Sequence, residues 1–80
     1  MENREQLLAR VTVDPETQAG RPVIKGTRVP VARIVGALSA GASFQELRED
    51  YGLGDDDIRA ALAYAAKTLE ETEVRELPAA

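Results

Sequence analysis

The sequence predicts a mainly α-helical domain: a compact unit of three helices with the outline of a helix-turn-helix, preceded by a short N-terminal strand and hairpin arm. Three observations predict it. Apolar residues recur at helical spacing only from residue 31 onward. Glycine and proline interrupt the stretch between Pro15 and Pro30, where no helix would tolerate them. Phe44, Tyr51 and Tyr64 are the whole aromatic supply, so Ala, Val, Leu and Ile must build the core, which suits packed helices.

Taken in order, residues 1–9 predict a frayed helical turn around Leu7 and Leu8. In Arg10–Asp14, Val11 and Val13 alternate with polar neighbours, the period of a half-buried strand. Asp14-Pro15 opens a turn that Gly20 closes. Val23-Ile24 predicts a second very short strand with Lys25-Gly26 turning after it. Pro22 and Pro30 bracket this piece, and their missing donors place it at a sheet edge or in an extended arm. From residue 31 the period changes: Val31, Ile34, Val35 and Leu38 form one helical face, and Gly41 ends it. Ser43 and Glu46 then have capping-box spacing, with Phe44, Leu47 and Tyr51 facing inward and Gly52 as the stop. A third helix starts near Gly54 or Asp55, with Ile58, Leu62, Ala65 and Leu69 as its buried stripe. Residues 1–30 thus form the arm, 31–77 the three-helix unit and 78–80 a disordered tail of a single domain.

An 80-residue chain buries a small core and is stable by a few kcal/mol, so a dimer, most simply a homodimer, or a heteromeric partner is expected. With no Cys and no His, disulfides, thiol nucleophiles and imidazole catalysis are excluded, as are most zinc sites. No apolar run approaches the ~20 residues that span a bilayer and no signal peptide is visible, so a cytoplasmic protein away from membranes is expected. Residues 1–33 carry six basic against four acidic residues, and residues 34–80 carry four against ten. Such a division suits a chain that is bound by partners better than one that turns over a substrate.

Two catalytic chemistries fail on spacing. Gly20 stands at the right distance before Lys25-Gly26-Thr27 to suggest a phosphate loop. However, the final Gly and Lys are exchanged relative to G-x-x-x-x-G-K-[ST], and the chain is too short for the sheet behind such a loop. Asp55, Asp56 and Asp57 are adjacent, so they diverge around a helix; they suit its positive N-terminal end better than acid–base or metal chemistry. No enzyme, cofactor or metal site is expected.

The chemistry that remains is binding. Between Gly20 and Arg33 lie Arg21, Lys25, Arg28 and Arg33 without one acid, stiffened by Gly20, Pro22, Gly26 and Pro30. These cations, together with Thr27, are the candidate contacts to nucleic acid or to a partner protein; the bland alternative is that they neutralise the chain's own acids or stay solvated. A helix-turn-helix would suggest DNA, yet the three aspartates at the start of the third helix oppose phosphate contact there. The basic strip is the better DNA surface. At the other end, Val74 and Leu77 lie off the buried stripe in a charged segment, which suits docking in another protein's groove or pairing of two copies.

The segment Val13-Asp14-Pro15, then Gly20, Pro22, Ile24 and Gly26–Val31 (GTRVPV) resembles the hallmark of domain-of-unknown-function family 433. The likeness continues through Gly41–Ser43, Glu46-Leu47, Tyr51–Leu53, Asp57-Ile58 and Ala60–Tyr64, about residues 11–66. Gly54 departs from the usual Ser or Thr, a tolerable change at a helix cap. The resemblance implies a homeodomain-like tri-helical fold with a short N-terminal strand region and an antitoxin-like role, in which a PIN-like nuclease toxin is blocked and the promoter repressed. A DNA-binding regulator without a toxin, or a non-catalytic structural dimer, are the alternatives. The resemblance carries Gly26, Thr27 and Arg28 over as a motif. The residues themselves give Gly26 a backbone angle, Thr27 a turn cross-link and Arg28 a fork of donors for carboxylate or phosphate.

Overall fold

The described residues form four helices and one short antiparallel ribbon: α1 (Arg4–Leu8), β1 (Val11–Thr12), a 3-10 turn (Gln18–Gly20), β2 (Val23–Ile24), α2 (Val31–Ser39), α3 (Phe44–Tyr51) and α4 (Asp55–Glu73). The computed structural model describes residues 1–16 and 18–73. Val74, Leu77 and the tail expected at 78–80 lie outside the described residues.

The N-terminus is more ordered than a frayed turn. Asn3 caps α1: the Gln6 amide donates to Asn3 Oδ1 at 2.8 Å, and the Asn3 amide donates to Gln6 Oε1 at 3.0 Å. This reciprocal pair fixes one turn, and Leu7 is buried against the core. The fold therefore has a fourth helix that the apolar spacing alone does not announce.

The two strands of the N-terminal segment are tied together and to the start of α2. β1 pairs with β2 as Val11↔Ile24 and Thr12↔Val23, and Val23 also bridges Pro30. The Ile24 amide donates to Val29 O at 3.0 Å and the Val31 amide to Pro22 O at 2.9 Å. β2 is thus held on both sides rather than lying at an edge, and Pro30, which lacks a donor, takes the outer position. Val23 and Ile24 are each 1% exposed, so the hydrophobic effect anchors this segment to the helices. Val13, expected to alternate inward, is exposed instead because the pairing ends at Thr12.

The α2 face and the α3 cap agree with their sequence spacing. Val31 and Ile34 are buried, and Val35 and Leu38 pack beside them. At α3 the Glu46 amide donates to Ser43 Oγ and the Ser43 amide to Glu46 Oε1, both at 3.0 Å. That backbone donation, then the hydroxyl contact, hold the Glu46 carboxyl below the usual carboxylate range. Gly52 ends α3 with φ +68, a left-handed angle that favours glycine. α2 carries Gly36 in its middle, a choice that costs about 1 kcal/mol relative to alanine. A Cβ at Gly36 would meet no atom within 4 Å.

α4 is the central element, packed by α1, α2, α3 and both strands. Its stripe is rotated from the expected one. Ile58, Ala60 and Ala61 are fully buried, whereas Leu62 and Leu69 are 41% and 61% exposed. The reason is crowding: with neighbours on several sides of its first half, alanine fits the close approach and leucine does not. Residues 66–72 are all exposed. Among the described residues, no helix is long and apolar enough to cross a membrane.

Candidate functional site

The segment between β2 and α2 is built around one locked turn. The Thr27 amide and the Thr27 hydroxyl both donate to Ile24 O, at 3.0 and 2.7 Å, and Thr27 Oγ1 accepts from the Val29 amide at 3.1 Å. Gly26 has φ +80, the angle a type II turn demands of its third residue. Thr27 is therefore half-buried and fully engaged in the turn, while Lys25 and Arg28, its neighbours in the turn, are exposed. The inward positions Val23 and Ile24 anchor the segment, and the outward ones carry charge.

The cations of this segment differ from the others. Arg4, Arg10, Arg48, Arg59 and Lys67 each reach a carboxylate of the same chain. Among the described residues, Arg21, Lys25, Arg28 and Arg33 form no ion pair, and all four are exposed.

Arg28 and Arg33 meet at a concavity of about 220 Å³ that they line with Val29, Pro30 and Tyr51. Pro30 is the N-cap of α2 and accepts the Arg33 amide at 3.1 Å, which sets Arg33 on the first turn beside Arg28. Two guanidinium groups and a phenol around one hollow can bind a carboxylate or phosphate through several charge-assisted donors. Tyr51 was legible in the sequence only as an inward residue of α3; the structure also places it at this hollow. Arg21 stands apart, bordering a second, apolar groove between α2 and α4, where Pro22 also lies. Lys25 is held near β1 by its amide, which donates to Arg10 O at 2.7 Å. Gly20 closes the 3-10 turn ahead of Arg21.

The three aspartates of α4 are occupied with internal cations. Asp55 pairs with Arg48; Asp56 meets Arg59 at 3.2 Å and Arg10 at 3.9 Å; Asp57 Oδ1 accepts from Arg10 Nη1 at 3.0 Å. Asp57 Oδ2 also accepts the Gly54 amide at 3.0 Å, and the Asp57 amide, which a hydroxyl at residue 54 would cap, donates to Gly54 O at 3.1 Å. Arg10 holds Glu2 with a bidentate pair at 2.7 and 2.6 Å. Bonding to Arg10 holds the Glu2 carboxyl below its ordinary value, and Glu2 and then Asp57 raise Arg10 further. The sequence shows these charges but not that residue 10 reaches residues 56 and 57. Arg59 also lies 5.9 Å from the centre of the Phe44 ring.

Residues 11–65 match the family described as Protein of unknown function (DUF433). Over 54 residues the chain is 46% identical to the Mycobacterium tuberculosis protein named "Putative antitoxin VapB45", covering 68% of this chain and 23% of that one. The crystal structure of a DUF433 member from Anabaena variabilis superposes with a TM-score of 0.72 at 30% identity, over 86% of this chain and 69% of that one. The crystal structure of Rv2018 from Mycobacterium tuberculosis gives 0.60 at 46% identity, over 68% and 25%. The chain spans about a quarter of the length of the curated relatives it matches.

Proposed function

This chain belongs to the DUF433 family, and on that premise we propose that it is an antitoxin-like binding module that neutralises a PIN-like nuclease toxin. The observation that carries this reading is the selective freedom of the basic edge: among the described residues Arg21, Lys25, Arg28 and Arg33 form no ion pair, while the other described cations are used internally. A relative named as an antitoxin supports the same role. A nuclease of the PIN-like kind offers a carboxylate-rich, metal-binding centre, and the Arg28 fork beside Arg33 is suited to occupy those carboxylates in place of the metal. In this reading the protein is non-catalytic, acts in the cytoplasm as a homodimer, and uses Val74 and Leu77 as apolar anchors on the toxin. The test is an inhibition titration of the nuclease encoded beside it. Arg28→Ala should keep its helical circular dichroism and inhibit about tenfold less well or worse; unchanged inhibition by the folded variant removes the reading.

A second reading is DNA binding, as a self-repressing antitoxin or as a regulator with no toxin. It takes α2–α4 as a homeodomain-like tri-helical unit in which α3 and α4 form the helix-turn-helix. One observation favours it. The aspartates that would repel phosphate are already met by Arg10, Arg48 and Arg59, so the electrostatic objection is weaker than the sequence implies. Binding to its own promoter should then fall steeply with salt. A flat salt series excludes phosphate contact.

A further inference from the structure

The hollow of about 220 Å³ beside α2 carries a charge that the described chain does not neutralise. Arg28 reaches it from the loop after β2, Arg33 from the first turn of α2 and Tyr51 from the last turn of α3. Val29 and Pro30 complete the lining, and no carboxylate is among the described residues that line it. Two guanidinium groups at one hollow repel each other unless an anion lies with them. Arg10, Arg48 and Arg59, by contrast, each meet an aspartate. Tyr51 is equally underused. It is half-buried against the core, where a phenylalanine ring packs as well, yet its hydroxyl makes no hydrogen bond among the described residues.

Size and donor count narrow the ligand. Small-molecule sites enclose about 300–1,000 Å³, so this hollow takes one group of a ligand rather than a whole cofactor. One guanidinium fork saturates a single carboxylate bidentately, which leaves the second fork and the phenol unmatched. A phosphate monoester presents three terminal oxygens and a charge of about −1.5 to −2 at neutral pH. Two forks and one hydroxyl match those oxygens, and two positive charges match that charge. A backbone phosphodiester, with one negative charge, matches less well. We propose that Arg28, Arg33 and Tyr51 form a binding site for a dianionic phosphate group, free or as a monoester. The site itself needs no toxin. Several carboxylates of a toxin can fill the same two forks, so phosphate and toxin compete; that consequence alone rests on the antitoxin reading.

Amide chemical-shift titration of the full chain at constant ionic strength tests the site, with inorganic phosphate, a nucleoside 5′-monophosphate and acetate as probes. Both phosphates should give saturable shifts at Arg28, Val29, Arg33 and Tyr51, and acetate should bind several-fold more weakly. Tighter binding of the monophosphate identifies a phosphorylated molecule as the natural source, and equal binding identifies free phosphate; either supports the site. The chain has no histidine or cysteine, and a monoester's second pKa is about 6. Between pH 5 and 7 the charge gained is therefore the ligand's, and the monophosphate should bind up to about tenfold tighter at the upper end. Arg28→Ala and Arg33→Ala, at exposed positions, should each weaken binding at least about fivefold. Tyr51→Phe, which keeps the ring, should weaken it about threefold. Lys67→Ala, which removes the same charge from α4, should leave it unchanged. The proposal is overturned by shifts that spread over the chain without saturating, by acetate binding as tightly as phosphate, or by an affinity indifferent to pH. Equal weakening in Lys67→Ala, or wild-type binding in Tyr51→Phe, overturns it too. So does binding of duplex DNA with no saturable response to either phosphate. A chain that binds phosphate but does not inhibit a PIN-like nuclease keeps the site and removes only the competition.

Discussion

Arg10 and Asp57, 47 positions apart in the chain, are joined by a 3.0 Å charge-assisted hydrogen bond. The same guanidinium holds Glu2 bidentately. One side chain thus ties the residue ahead of the α1 cap to the first turn of α4, the two places where short helices fray most readily. The Glu2 and Asp57 carboxylates remain partly exposed, so the clamp contributes more to geometry than to net stability.

Arg10→Ala should therefore lower the melting temperature by a few degrees and loosen α1 before α4. Hydrogen exchange at the Gln6–Arg10 amides is the readout, with faster exchange expected there and little change at Leu47. Added salt should narrow the difference between wild type and variant, because the pairs are screened. Equal exchange in both proteins would show that Leu7 burial alone holds α1.

The lowered carboxyls set the acid response. Glu2, held by Arg10, Glu46, held by Ser43, and Glu71, held by Lys67, all have folded-state values below the ordinary 4.5. For a depressed carboxyl the stabilisation is fully present above the unfolded value and is lost as pH falls through the folded one. Stability should be level near neutrality and decline below about pH 4.5. Glu2→Gln should flatten part of that decline. A melting temperature that holds level to about pH 2 contradicts the assignment.

The locked turn makes a local prediction. Thr27→Val removes the hydroxyl that donates to Ile24 O and accepts from the Val29 amide, and should cost about 1–2 kcal/mol. Thr27→Ser should recover most of it. Gly26→Ala, at φ +80, should cost about 1 kcal/mol through backbone strain alone, since the space around it is open. Urea midpoints measure all three, and a Thr27→Val midpoint equal to wild type would mean that packing of Val23 and Ile24 sets the turn.

Ile34 has no exposed surface and sits where α2 packs in the core. Ile34→Ala should cost about 2–5 kcal/mol. A domain of this size has only a few kcal/mol in reserve, so the variant should be largely unfolded by circular dichroism at 25 °C. A cooperative, native-like melt would show that the core is larger than one domain supplies.

Local chemistry was legible in the sequence, and long-range chemistry was not. Ser43 and Glu46 announce their capping box because both partners lie within one turn, and Asn3 with Gln6 carries the same spacing at α1 in a less familiar pair of residues. The strip from Gly20 to Arg33 reads as basic because no acid interrupts it, and its cations form no ion pair among the described residues. The phase of α4 was hidden because alanines line its buried side and leucines face solvent, the reverse of what hydrophobicity ranks. The hollow between Arg28, Arg33 and Tyr51 joins three elements, and no spacing rule connects them.

The central claim is that the unpaired cations of residues 20–33 are the surface by which this protein grips another macromolecule. The most direct measurement is a hydrogen-exchange footprint of the chain with and without the PIN-like nuclease toxin proposed as its partner. Protection should concentrate on residues 25–33 and on Tyr51, and disappear when Arg28 and Arg33 are both replaced by alanine in a folded variant. A stable complex that leaves these amides unprotected, or that survives the double replacement undiminished, contradicts the account.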